Sequence, residues 1–170
     1  MSADGHLFEI FSALAQARVQ FIVAGGVAVV LHGVERSTMD LDLSVQMEKQ
    51  NLERFLAVMK NLGMVPRVPV SPEVLLDPAQ RSWMVKEKRA LVFTFIHPDK
   101  PFQQVDVFLL ESLDFSKLEP ATEEMDIEGL KTRVLSKRQL IELKKQVMPP
   151  RDKDIFDIAA LEELLRKSPK

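Results

Sequence analysis

Apolar residues recur at helical spacing from about residue 7 to 18, where Leu7, Phe8, Phe11 and Leu14 share one face, so the pattern predicts an amphipathic helix. "VQFIVA" (19–24) is β-branched and aromatic with no polar break, the mark of a short buried strand. "GGVAVVLHG" then predicts a brief apolar helix ending near Gly33, and "MDLDLSV" (39–45) alternates polar and apolar as a second strand does. Leu52, Phe55, Leu56 and Met59 fall on one face of a helix from about Lys49 to Leu62, with Gly63 at the C-terminal cap position. The pattern breaks over "MVPRVPVSPEVLLDPAQ" (64–80), whose four prolines predict a loop or lid, and "RSWMVKEKR" predicts a short helix or turn. Strands are expected at 90–97 and 103–110, and a weaker pair over 121–135. Ser136 stands as N-cap of "KRQLIELKKQV", and Asp152, after prolines 149 and 150, as cap of the closing helix. This order of elements predicts an α/β or α+β fold with a mixed sheet flanked by helices and a helical C-terminal tail.

Composition narrows the class. A chain of 170 residues suits one domain by the usual prior of roughly 100–200 residues. With 46% hydrophobic and 28% charged residues it has the balance of a soluble globular protein. The expected organisation is therefore one domain over 1–170, with a core at about 7–135 and C-terminal helices at about 136–167. The net charge of -2 does not advertise a nucleic-acid or anionic-membrane binder. No cysteine is present, which excludes disulfides and thiolate metal sites and suits a reducing cytoplasm. The N-terminus lacks a signal-peptide pattern and no apolar run approaches the roughly 20 residues of a bilayer span. A cytoplasmic protein without membrane contact is expected.

Three features carry chemistry. Gly25 and Gly26 lie between a buried strand and a helix start, where they serve either a tight turn or the close approach of a phosphate to free backbone N–H groups. Asp40 and Asp42 fall on one face of their strand, opposite Met39, Leu41 and Leu43. Two carboxylates so close repel each other, so that face is either solvated or holds a hard cation such as Mg²⁺ or Mn²⁺. Asp106 stands alone in the apolar strand "QQVDVFLL" and joins the pair if the two strands are neighbours. Three converging carboxylates can clamp metal ions for in-line attack on a phosphoryl group. His32, among apolar neighbours in a helix, has the setting of a packing or orienting residue.

Gly25-Gly26, Arg36, Thr38, Asp40-Leu41-Asp42 and the later Asp106 together resemble the nucleotidyltransferase superfamily with the DNA polymerase β fold. The segment Arg36-x-Thr38-x-Asp40-x-Asp42 is similar to that of small AbiEii-like nucleotidyltransferase proteins. The likeness extends to "LIELKKQVMPPRDKDIFDIAAL", on Lys144, Arg151, Lys153-Asp154 and Asp157. Where many superfamily members place a serine after the first glycine, this chain has Gly26 and then Val27. The resemblance implies that Asp40, Asp42 and Asp106 are catalytic and bind Mg²⁺ or Mn²⁺. It further implies that Gly25, Gly26, Arg36, Thr38, Lys144 and Arg151 surround a nucleoside triphosphate. For Lys144 and Arg151 a solvated helix face is the alternative, and Asp154 and Asp157 are expected to cap the last helix or pair with Arg151. The implied function is Mg-dependent transfer of a nucleoside monophosphate from an NTP to an acceptor hydroxyl on a tRNA, a protein or a small molecule. A toxin–antitoxin or phage-defence setting, with a cognate antitoxin or other partner protein, goes with it. An inactive nucleotide-binding or protein-interaction module on the same fold is the alternative, and a metal-dependent phosphodiesterase a third.

Overall fold

The computed structural model describes residues 3–168. A first helix, α1 (Ala3–Gln16), leads into β1 (Phe21–Ala24), and α2 (Gly25–Leu31) follows without a linker. Next come β2 (Asp40–Val45), α3 (Lys49–Asn61), the short β3 (Val65–Pro66) and α4 (Pro78–Lys88). Strands β4 (Val92–His97) and β5 (Lys100–Phe108) form a hairpin, then a short α5 (Phe115–Leu118) precedes the hairpin β6 (Thr122–Ile127) and β7 (Leu130–Leu135). The tail is α6 (Lys137–Lys145) and α7 (Asp152–Lys167). The seven strands among the described residues join one mixed sheet in the order β3-β4-β5-β2-β1-β7-β6. β2 pairs antiparallel with β1 and parallel with β5, and β7 joins β1 in parallel. This is the mixed α/β architecture that the alternating pattern predicts.

The two-residue side-chain period explains how β2 is both core and site. Leu41 and Leu43 are fully buried, as are Val105 and Val107 of the neighbouring β5. These residues join one apolar cluster with Ile10 and Leu14 of α1 and with Leu52, Phe55 and Met59 of α3. Phe55 meets Phe95 of β4 edge-on at 5.8 Å, a favourable aromatic geometry. The intervening side chains, among them Asp42 and Asp106, are thereby turned to the other face.

Asn51 is the buried polar residue that orders this core. Its side-chain amide donates to the carbonyls of Gln20 and Gln46 at 3.0 and 2.9 Å, and its oxygen accepts from the Gln20 N–H at 2.7 Å. It thus pins α3 to the approach of β1 and the end of β2.

Several boundaries differ from the pattern-based expectation. The proline-rich stretch contains a 3₁₀ turn at Pro72–Leu76, and α4 begins at Pro78 because Asp77 caps it, accepting from the Ala79 N–H at 2.9 Å. Ser136 does cap α6, accepting from the Gln139 N–H. Asp152 is instead the first residue of α7, and Arg151 is the extended residue before it. Among the described residues no helix is long and apolar enough to cross a membrane.

Candidate functional site

Strand register brings the acids together. Asp42 lies directly opposite Asp106 across the parallel β2–β5 pair, while Ala24 faces Asp42 and Thr94 faces Asp106 on the flanking strands. One row, Ala24–Asp42–Asp106–Thr94, therefore crosses four strands on one sheet face, and Asp40 stands opposite Gln104 one step away. Asp106 is held from two sides: the Thr94 hydroxyl donates to Oδ1 at 2.6 Å and Gln104 Nε2 donates to Oδ2 at 2.9 Å. Arg67 in turn donates to Gln104. Burial, then the like charges of Asp106 and Asp40, push Asp42 up to about 7 against the pull of Lys144 and Lys153.

The glycine turn fits around these acids. Gly25 has φ +61, and a Cβ built there would stand 1.9 Å from Asp42 Oδ2. Only glycine combines that backbone angle with the Asp42 carboxylate against it. At Gly26 a Cβ would meet Thr38 Oγ1 at 2.7 Å and the Arg36 guanidinium nitrogens at 3.0 and 3.1 Å. In this chain, then, the place that a serine side chain would take is filled by Arg36 and Thr38 reaching over the turn.

The C-terminal helices supply a buried charge cluster. Arg36 Nη1 donates to Asp157 Oδ2 at 2.8 Å, and Lys144 Nζ reaches the same oxygen at 2.9 Å. Lys144 also lies 3.6 Å from Asp154 Oδ1, and Arg151 binds Asp154 through Nε at 2.6 Å and Nη2 at 3.1 Å. Both aspartates are fully buried, and Asp157 Oδ1 is a buried oxygen with no hydrogen-bond partner. The Lys144 side chain is 11% exposed, whereas its neighbour Lys145 is 58% exposed, so only Lys145 lies on a solvated helix face. Burial raises the Asp154 carboxyl, but the hydrogen bonds and charge of Arg151, with Lys144, hold it below the ordinary carboxylate value. Asp154 pairs with Arg151 as expected; Asp157 pairs instead with Arg36 and Lys144.

The metal- and nucleotide-binding candidates named from the sequence thus fall into these adjoining groups, linked by the effect of Lys144 and Lys153 on Asp42 and of Asp42 on Arg151. Thr94 and Gln104 carry no signal in the sequence, and Lys153, although part of the tail motif, is brought to act on Asp42 only by the fold. Their roles depend on strand register and helix placement, which no local motif encodes. His32 lies apart from the acids: its ring nitrogen Nε2 donates to the Leu135 carbonyl at 2.7 Å, tying the end of α2 to β7. The donor set suits a hard divalent cation, with oxygen ligands only and with repulsion that a cation would relieve. Among the described residues no group of three or more His, Asp or Glu side chains is placed to hold a metal ion. Each Asp106 oxygen, however, keeps a second lone pair beyond its hydrogen bond.

A family profile described as "Nucleotidyl transferase AbiEii toxin, Type IV TA system" matches residues 9–169. No curated protein sequence matches the chain. Among solved structures, the lincosamide antibiotic adenylyltransferase LnuA, bound to lincomycin, is similar at 17% identity and a TM-score of 0.65, over 94% of this chain and 96% of that one. ANT(2")-Ia in complex with adenylyl-2"-tobramycin is similar at 17% identity and a TM-score of 0.62, over 95% and 88%. A putative nucleotidyltransferase from Thermotoga maritima is similar at 15% identity and a TM-score of 0.54, over 95% and 91%. At these identities the structures share the fold with this chain.

Proposed function

We propose that this chain, which belongs to the AbiEii nucleotidyltransferase family, transfers a nucleoside monophosphate from an NTP to an acceptor hydroxyl through Asp40, Asp42 and Asp106. The observation that carries the reading is the register of β2 and β5, with Asp42 beside Asp106 and Gly25 against the Asp42 carboxylate. The three aspartates are the residues that would hold Mg²⁺ or Mn²⁺, whose charge, when bound, offsets that of the triphosphate and of the leaving pyrophosphate. Gly25 and Gly26 let the triphosphate approach the backbone of the turn, and Thr38 offers it a hydroxyl. Arg36, Lys144 and Arg151 are the cations that balance its negative charge, supplied pre-oriented by Asp154 and Asp157. The acceptor oxygen attacks the α-phosphorus, its proton passes to the Asp106 carboxylate, and pyrophosphate departs with the electron pair of the broken bond.

The family description supports a toxin–antitoxin role, and a cognate antitoxin or other partner protein is consistent with it. The acceptor classes consistent with the chemistry are a tRNA end, a protein hydroxyl and a small molecule. Incubation with Mg²⁺ and each α-labelled NTP in cell extract tests the activity. Label should appear on an acceptor and vanish in the variant carrying Asp40→Asn and Asp42→Asn; an unlabelled extract, or labelling indifferent to those changes, contradicts it. One observation favours a second reading, a non-catalytic nucleotide-binding module: Arg36, Lys144 and Arg151 are already paired with acids. Calorimetry separates the two, since Mg²⁺-dependent NTP binding without turnover would select the module.

A further inference from the structure

On the sheet face that carries the acids, one strand beyond Asp106, lies a groove of about 440 Å³ between β4, α4 and the 67–74 loop. Val68, Val70, Val74, Trp83, Met84 and Val92 form its walls. Three of these are large apolar side chains held open to solvent, with Val68 52%, Val70 42% and Trp83 48% exposed. A groove of this size and lining is the form small-molecule sites take. Its inner end is not apolar. Thr94, which donates to Asp106, and Arg67, which donates to Gln104, both belong to the groove wall. Two of the groove's lining residues are therefore the ones that bond the third carboxylate and its Gln104 partner.

We propose that this groove is the acceptor site, taking a small molecule with an apolar or aromatic body whose free hydroxyl passes Thr94 to reach Asp106. The proposal rests on the transferase reading above. The acceptor oxygen bonds to the α-phosphorus of the NTP, the bond from that phosphorus to the oxygen of the β-phosphate breaks, and the hydroxyl proton goes to Asp106. The charges argue against a nucleic-acid acceptor. Among the described residues the groove lining carries two cations, Arg67 beside Gln104 and Lys88 over the Trp83 ring at 5.2 Å, too few to form the row along which a phosphate backbone would track. The flat face of Trp83 and the valines opposite suit an uncharged ring or short alkyl chain.

Trp83 is the sole tryptophan, so its emission reports groove occupancy directly. The full chain is titrated with octyl glucoside below its micelle concentration, with glucose, and with unfractionated tRNA. Octyl glucoside should give a saturable emission change and glucose none. Val70→Lys, at an exposed loop position with Trp83 retained, should weaken the response at least tenfold while the unfolding midpoint shows that the variant is folded. In parallel, extract is labelled with each α-labelled NTP and divided into tRNA, protein and small-molecule fractions. The new label should appear among small molecules and fall at least tenfold with Val70→Lys. Label on tRNA or protein keeps the transferase reading and overturns the small-molecule acceptor, as does an emission change that is absent, indifferent to Val70→Lys, or saturated more readily by tRNA. No label in any fraction with any NTP overturns the transferase reading itself.

Discussion

Two adjacent glycines have different reasons to be glycine. Gly25 combines a positive φ with the Asp42 carboxylate against its backbone, so Gly25→Ala strains the turn and displaces a proposed ligand at once. The expected outcome is a loss of about 2 kcal/mol in urea unfolding and roughly 100-fold in transfer rate. A Cβ at Gly26 meets side-chain ends, Thr38 Oγ1 and the Arg36 guanidinium, and the backbone there has no positive φ to strain. Gly26→Ala should therefore cost less than about 1 kcal/mol and raise the KM for NTP by displacing Arg36. If the two variants behave alike, the assignment of Asp42 to the turn is wrong. At this scale the sequence was most informative: period-two alternation alone sets Asp40 and Asp42 against Leu41 and Leu43. What alternation does not contain is the close approach of Asp42 to Gly25, which depends on the β1–β2 register.

Among elements, the contact between the 33–39 segment, α6 and α7 matters most, because it holds the proposed phosphate-binding cations. Asp157→Ala removes the shared partner of Arg36 and Lys144 and should destabilise the protein by about 3 kcal/mol. Lys145→Ala, on the solvated side of α6, should leave the unfolding curve within about 0.5 kcal/mol of wild type. Asp154 gives this cluster an acid dependence. Its carboxyl is held below the ordinary value of 3.8 by Arg151 and Lys144, against the effect of burial. Its contribution is therefore complete above pH 3.8 and disappears as pH falls through the folded value, so the acid limb of the stability curve should flatten in Asp154→Asn. An acid limb unchanged by that substitution would contradict the pairing. The tail motif pointed to Lys144, Arg151, Asp154 and Asp157 from the sequence. It did not reveal that Arg36, so far away along the chain, completes the cluster, because no periodicity links α7 to the segment before β2. α7 starts one position earlier than a cap at Asp152 implies, since an aspartate inside the first turn suits the helix dipole as well as a cap does.

At the scale of the whole molecule, the sheet order makes the site possible. β2 and β5 are neighbours although α3, β3, α4 and β4 intervene, and that adjacency joins Asp106 to the earlier pair. The elements themselves were largely legible from hydrophobic spacing. Their order in the sheet was not, because the parallel pairing of β7 with β1 and of β5 with β2 is decided by long-range packing. A ligand that binds only the folded chain must stabilise it as a whole. NTP at about 100 times its Kd should add roughly 2.7 kcal/mol and raise Tm by several degrees in the presence of Mg²⁺, and chelation should remove the gain. The central claim, that the three aspartates act as one cation site, is tested most directly by titrating Mn²⁺ and following free Mn²⁺ by electron paramagnetic resonance, with a non-hydrolysable NTP analogue present. Wild type should bind Mn²⁺ at least tenfold more tightly than Asp42→Asn and Asp106→Asn alike, and equal affinity in all three proteins would contradict the account.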